Sequence, residues 1–157
     1  MRCIRWACVA VWLGACSVAV AAPWASFNGY WPGMSEAAAK ALGVEGCRTG
    51  EGAAERKDSL YCWIPGPKRQ LGTMTATKAL LELKGPRHRR VDEIHLEFLG
   101  TPQAALPALQ AAYGKPSRED ANYWYWQRNG SEMVTLYKGP RGVAFVSFTL
   151  AKAAAAR

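Results

Sequence analysis

Histidine is nearly absent from this chain, with 2 in 157 residues, His88 and His95. A Ser-His-Asp or Cys-His nucleophilic site therefore has few ways to form. No serine stands in a Gly-x-Ser-x-Gly elbow either. Acidic residues are also sparse, 12 against 20 Lys and Arg, and nothing singles out a carboxylate pair of the kind glycoside hydrolysis needs. Only 20% of the residues are charged and half are hydrophobic, which excludes a disordered chain, a coiled coil and a collagen-like repeat. Long apolar runs are missing except at the N-terminus, which excludes a multi-pass membrane protein. What remains is a chain of a length that favours one domain.

The N-terminus carries Arg2 and Arg5, then an almost wholly apolar run from Trp6 to Val20, then Ala19, Val20 and Ala21 ahead of Ala22-Pro23. A basic segment, an apolar segment and a small-x-small site in that order read as a secretory signal peptide over 1–21. Cleavage is expected after Ala21, which leaves a single domain over 22–157. Leu13-Gly14-Ala15-Cys16 offers a competing reading, a lipobox with lipidation at Cys16, although the chain stays apolar beyond that cysteine. Either way the expected location is outside the cytoplasm, periplasmic or secreted.

Cys3, Cys8 and Cys16 fall in that leader, so Cys47 and Cys62 remain. An even pair in an oxidising compartment reads as a disulfide. Two cysteines alone do not complete a zinc site, and no metal or cofactor is expected. Without Arg2 and Arg5 the chain holds 18 basic and 12 acidic residues, a net +6. That balance suits acidic proteins, lipid headgroups or glycans, and export argues against nucleic acid.

Ser35 is a good N-cap ahead of the alanine-rich run Glu36 to Leu42, and Gly43 a good C′ residue, so a short helix is expected over 35–42. Leu60 to Ile64 and Thr73 to Lys84 read as strands, joined through a Gly85–Arg90 turn to a strand over Val91 to Leu99. In that last strand Ile94, Leu96 and Phe98 share one face, with Glu93, His95 and Glu97 on the other. Thr101-Pro102 opens a second helix, closed by Gly114, with Pro107 as a mid-helix irregularity. Strands follow over 122–128, 132–138 and 142–150, the first two joined by Asn129-Gly130, a strong hairpin signal. The order, helix and three strands twice over (pseudo-repeats at about 32–99 and 100–151), predicts an α+β fold. An antiparallel sheet would carry helices on one face and leave the other open.

Pro32-Gly33-Met34-Ser35, followed by a short helix ending Leu42-Gly43, resembles the opening of small bacterial envelope modules. These are the repeats of the β-lactamase-inhibitor-protein-like fold and the small lipoprotein of outer-membrane assembly. The resemblance implies a non-enzymatic protein that binds other proteins, often with the open sheet face. The Arg48–Tyr61 segment and the basic turn depart from that pattern.

If Trp124, Trp126, Val134, Leu136, Val146 and Phe148 face the core, the outer face carries Tyr123, Tyr125, Met133, Tyr137 and Phe145. Such a patch marks an interaction site, whereas a one-residue slip would turn the same aromatics into core. Arg87, Arg89 and Arg90, with Lys84 and His88, form a basic turn that suits anionic lipid or glycan, or simply a solvated turn that guards a sheet edge. Glu93, His95 and Glu97 read as a polar strand row, with weak metal binding or pH sensitivity as the sharper alternative. The expected function is a protein-binding module of inhibitor, immunity or assembly-accessory type, with an anionic-envelope binder second and a small hydrolase third.

Overall fold

The computed structural model describes residues 23–50, 59–139 and 142–150. The signal-peptide and Cys16 readings lie outside these residues, as do most of the segment between the cysteines and Pro140 of the last expected turn.

The described chain runs α1 (Glu36–Ala41), β1 (Cys47–Thr49), β2 (Leu60–Trp63), a 3-10 turn at Gly66–Lys68, β3 (Gln70–Leu71), β4 (Met74–Thr75), β5 (Lys78–Lys84) and β6 (Arg90–Leu99). It continues through α2 (Pro102–Tyr113), β7 (Arg118–Glu119), β8 (Tyr123–Arg128), β9 (Glu132–Tyr137) and β10 (Val143–Leu150). Eight strands form one antiparallel sheet in the order β1-β2-β5-β6-β10-β9-β8-β7, and β3 pairs with β4 in a separate hairpin. The fold is α+β, dominated by this sheet.

Both helices start as their sequences dictate. The Ser35 hydroxyl accepts from the Ala38 amide at 3.2 Å and the Thr101 hydroxyl accepts from the Ala104 amide at 3.3 Å, satisfying amides a helix start leaves orphaned. Gly43, at φ 89°, takes the left-handed conformation that ends α1. Pro107 does not break α2. It stands on the exposed side, where water can satisfy the carbonyl that its missing N–H leaves free.

The inner sheet face and both helices share one core. Ala105 and Leu109 of α2 pack with Leu81, Ile94, Leu96, Phe98, Trp126, Leu136, Val146 and Phe148, all buried. Two local expectations need correction. The single strand over 73–84 is two pieces: Met74–Thr75 belongs to the small hairpin, and β5 starts only at Lys78. There the Ala76 amide donates to Arg69 O and the Thr77 amide to Glu97 O, which turns the chain from one sheet into the other. The short strands β1 and β7 join the expected ones, so four main-sheet strands, not three, follow each helix. Both are edge strands of exposed residues, without the apolar alternation that announces a strand.

Cys47 and Cys62 are bonded and stand directly opposite each other across β1 and β2. The Asn129-Gly130 turn joins β8 to β9 with both residues at positive φ, 53° and 68°, as the type I′ hairpin turn requires.

Candidate functional site

The sheet face away from the helices is built by strand alternation. On β8, Trp124 and Trp126 are buried and Tyr123 and Tyr125 stand opposite them; Met133, Thr135 and Tyr137 on β9 and Phe145, Ser147 and Thr149 on β10 follow the same rule. The register leaves three residues, Asn129 to Ser131, between the Arg128–Glu132 pair, and this odd-length connection sets Tyr123 opposite Tyr137. Cross-strand pairing then lines up Tyr123, Tyr137 and Phe145 in one row. Ring centroids are 5.6 Å apart for Tyr123–Tyr125, 5.1 Å for Tyr123–Tyr137 and 6.5 Å for Tyr137–Phe145. Each pair is tilted, within the range of favourable aromatic geometry.

The tyrosines are half-buried and Phe145 is 40% exposed. Met133 lies on the same face but pairs with Gln127 and Thr149, two rows from the Tyr123–Phe145 row. The panel is held from behind. The Tyr125 hydroxyl donates to Asp120 Oδ2 at 2.8 Å, and Asp120 Oδ1 accepts from the Asn122 and Tyr123 amides at 2.9 Å. These bonds hold the Asp120 carboxyl below the usual carboxylate range and push the Tyr125 hydroxyl up. Arg118 lies 4.1 Å over the Tyr125 ring. A Cβ at Gly139 would run into the Tyr137 ring, so this glycine gives the ring its resting place.

Across the seam between β10 and β6, the same face turns polar. Phe145 pairs with Glu97, Ser147 with His95 and Thr149 with Glu93, and β5 sets Lys78 against Glu97 and Glu82 against Glu93. A depression of ≈ 310 Å³ lies over Tyr61, Lys78, Leu80, His95, Glu97 and Phe145 and joins the two halves. The polar cluster differs from the expected row. Glu82 of β5, not Glu97, completes the set: His95 Nε2 is 3.5 Å from Glu93 Oε2 and 3.7 Å from Glu82 Oε2. Glu82 is 6% exposed and accepts from the Ser59 hydroxyl at 2.7 Å. Burial alone would raise its carboxyl, but the Ser59 bond, the Lys84 ammonium and His95 outweigh it and hold the group below the usual range.

Sequence reasoning missed Glu82, although the signal was present: Leu81 and Leu83 on the core face put Glu82 on the other. A register shift between Glu82 and Leu83 brings Asp92 within reach of Lys84, and the two form an ion pair.

Arg87, His88, Arg89 and Arg90 sit elsewhere. With Ser35, Glu36 and Lys40 they surround a depression of ≈ 440 Å³ against α1, so the structure does not bring them to the aromatic panel. Much of their charge is engaged. Arg89 is 3.8 Å and Lys40 2.6 Å from the Glu36 carboxylate, and Arg90 donates to Gly33 O at 2.9 Å.

No protein-family model, no curated protein and no solved structure matches this chain.

Proposed function

We propose that the chain is an exported protein-binding module, of inhibitor, immunity or envelope-assembly accessory type, which docks a partner protein on the aromatic half of its outer sheet face. The observation that carries this reading is the panel of Tyr123, Tyr125, Tyr137 and Phe145, continuous across β8, β9 and β10 and opposite both helices. Tyrosine and arginine dominate binding hot spots because each joins a large contact area to a polar tip. Arg118 at the panel's rim and the chain's basic balance favour a partner with acidic residues around an apolar centre.

Export rests on the N-terminal pattern and agrees with the Cys47–Cys62 disulfide, which is at home in an oxidising compartment. A soluble periplasmic form and lipidation at Cys16 are the two versions of that proposal. The succession of α1 with four main-sheet strands and α2 with four more, meeting at β6 and β10, supports a tandem helix-and-meander unit like that of the inhibitor-protein-like envelope modules. Under this reading the protein is not an enzyme.

The test is capture from a cell-envelope extract on the oxidised chain beside a Tyr123→Ala, Tyr125→Ala, Tyr137→Ala variant, followed by titration of the purified protein that is retained. Loss of affinity by at least about 100-fold in a folded triple variant, roughly 3 kcal/mol, is expected. Equal affinity in both refutes the reading.

A second reading has one observation of its own. Arg89 Nε is buried without a hydrogen-bond partner beside the depression at the β5–β6 turn, where an anionic lipid or glycan headgroup would supply an acceptor. It predicts sedimentation with anionic vesicles that salt abolishes and that Arg87→Ala with Arg89→Ala removes. Binding insensitive to both salt and substitution refutes it.

A further inference from the structure

We propose that Glu82, Glu93 and His95 form a binding site for a divalent transition-metal ion, with zinc as the best fit. The ligand chemistry is a neutral imidazole with two carboxylates, a set suited to zinc. All three ligand atoms lie within 4.8 Å of one another. The His95 Nε2 separations of 3.5 and 3.7 Å from the two carboxylate oxygens are too long for good hydrogen bonds. They are a few tenths of an ångström wider than the roughly 3.3 Å between neighbouring ligands around a tetrahedral zinc with bonds near 2.05 Å. Small rotations would place an ion between the three.

Two further observations point to a cation there. Glu82 and Glu93 are direct cross-strand partners, and like charges so placed destabilise a sheet unless something neutralises them. Lys84 is 3.4 Å from Glu82 but is also paired with Asp92, so the local carboxylates outnumber the fixed cations. Secondly, the Ser59 hydroxyl engages Oε1 of Glu82 and leaves the Oε2 atom aimed at His95, the kind of outer hydrogen bond that orients a metal ligand.

The test needs only the metal and this chain, so it does not depend on the proposed function. The untagged, oxidised chain expressed from the full-length sequence is titrated with zinc against a chromophoric chelator, and with cobalt while its visible absorption is followed. One zinc per chain with a dissociation constant at or below about 10 µM is expected, with a cobalt spectrum of tetrahedral intensity. His95→Ala and Glu93→Gln should each weaken binding by at least about 10-fold, as should Ser59→Ala through Glu82. His88→Ala should leave it unchanged.

His95 and Glu93 are partly exposed, so their variants fold even if a Glu82 variant does not. Binding weaker than about 100 µM, binding indifferent to His95→Ala, or binding lost in His88→Ala would each overturn the proposal.

Discussion

The disulfide invites the sharpest stability test, because its chemical and packing contributions can be separated. Cys47 is exposed on β1, while Cys62 is 1% exposed and part of the core. Cys47→Ser therefore removes the crosslink and leaves Cys62 as a buried thiol, which packs as a small hydrophobe. The two cysteines are 15 residues apart, and closing a loop of that size stabilises the fold by about 3 kcal/mol through the unfolded chain. For a chain of this size that is a fall in Tm of about 6–12 °C. The assay is urea unfolding of wild type and variant, where the variant's m-value should rise because its unfolded state is freed of the crosslink. Reducing agent should destabilise the wild type to the same extent and leave the variant untouched.

A local effect should accompany the global one. All three residues of β1 are exposed, so no side-chain burial holds this edge strand in place. The amides of Glu45, Gly50 and Trp63, which donate to Trp63 O, Ser59 O and Gly46 O, should exchange faster in Cys47→Ser by more than the global loss predicts. A loss below about 1 kcal/mol, or Glu45, Gly50 and Trp63 amides that keep their protection, would refute the view that the crosslink anchors this edge.

Leu109→Ala, at a wholly buried position where α2 meets the sheet, should cost about 2–5 kcal/mol in denaturant unfolding. Trp126→Phe removes the 2.7 Å bond from Nε1 to Gly114 O and should cost about 1–3 kcal/mol, read the same way. The depressed Glu82 carboxyl contributes stability that is complete above the unfolded-state value, near 4.3, and is lost as pH falls through the lower folded-state value. Glu82→Gln should therefore flatten the decline of wild-type stability below about pH 4.3, and an equally steep decline in the variant would show that other carboxylates carry it. Gly139→Ala should displace the Tyr137 ring and weaken partner binding while leaving thermal stability within about 0.5 kcal/mol; unchanged binding would place Tyr137 outside the contact.

Long elements were legible wherever one period ruled. β6 alternates from Glu93 to Phe98, α2 repeats Leu106, Leu109 and Tyr113 between a proline start and a glycine stop, and Asn129-Gly130 marks the β8–β9 hairpin. The face that carries Tyr123, Tyr125 and Tyr137 was legible only as one of two alternatives, because alternation along a strand does not say which set points inward. The edges were not legible, because the exposed strands β1 and β7 owe their conformation to neighbours and not to their own pattern. The break before β5 was hidden for a similar reason. Thr73 to Lys84 keeps a strand-like composition throughout, and only the tertiary bonds of Ala76 and Thr77 divide it. Glu82 was missed as a site residue because a carboxylate in a strand reads as solvent-facing, whereas its burial comes from pairing with β2 and from Ser59.

The two halves of the outer face meet along the β6–β10 seam, where Phe145 stands opposite Glu97 and Ser147 opposite His95. Three protein ligands leave a fourth zinc position, and the ≈ 310 Å³ depression that runs from His95 to Phe145 gives it a route to whatever covers the aromatic panel. Coupling between the two is then a measurable quantity, and it must be reciprocal: if zinc tightens partner binding, the partner tightens zinc by the same factor. A partner side chain that completes the coordination shell should produce coupling of about 5-fold or more, abolished by His95→Ala. A partner confined to Tyr123, Tyr125 and Tyr137 should bind equally well with zinc or with a chelator present. Coupling that survives His95→Ala would refute this placement, because the metal acting on the partner would then lie elsewhere on the chain.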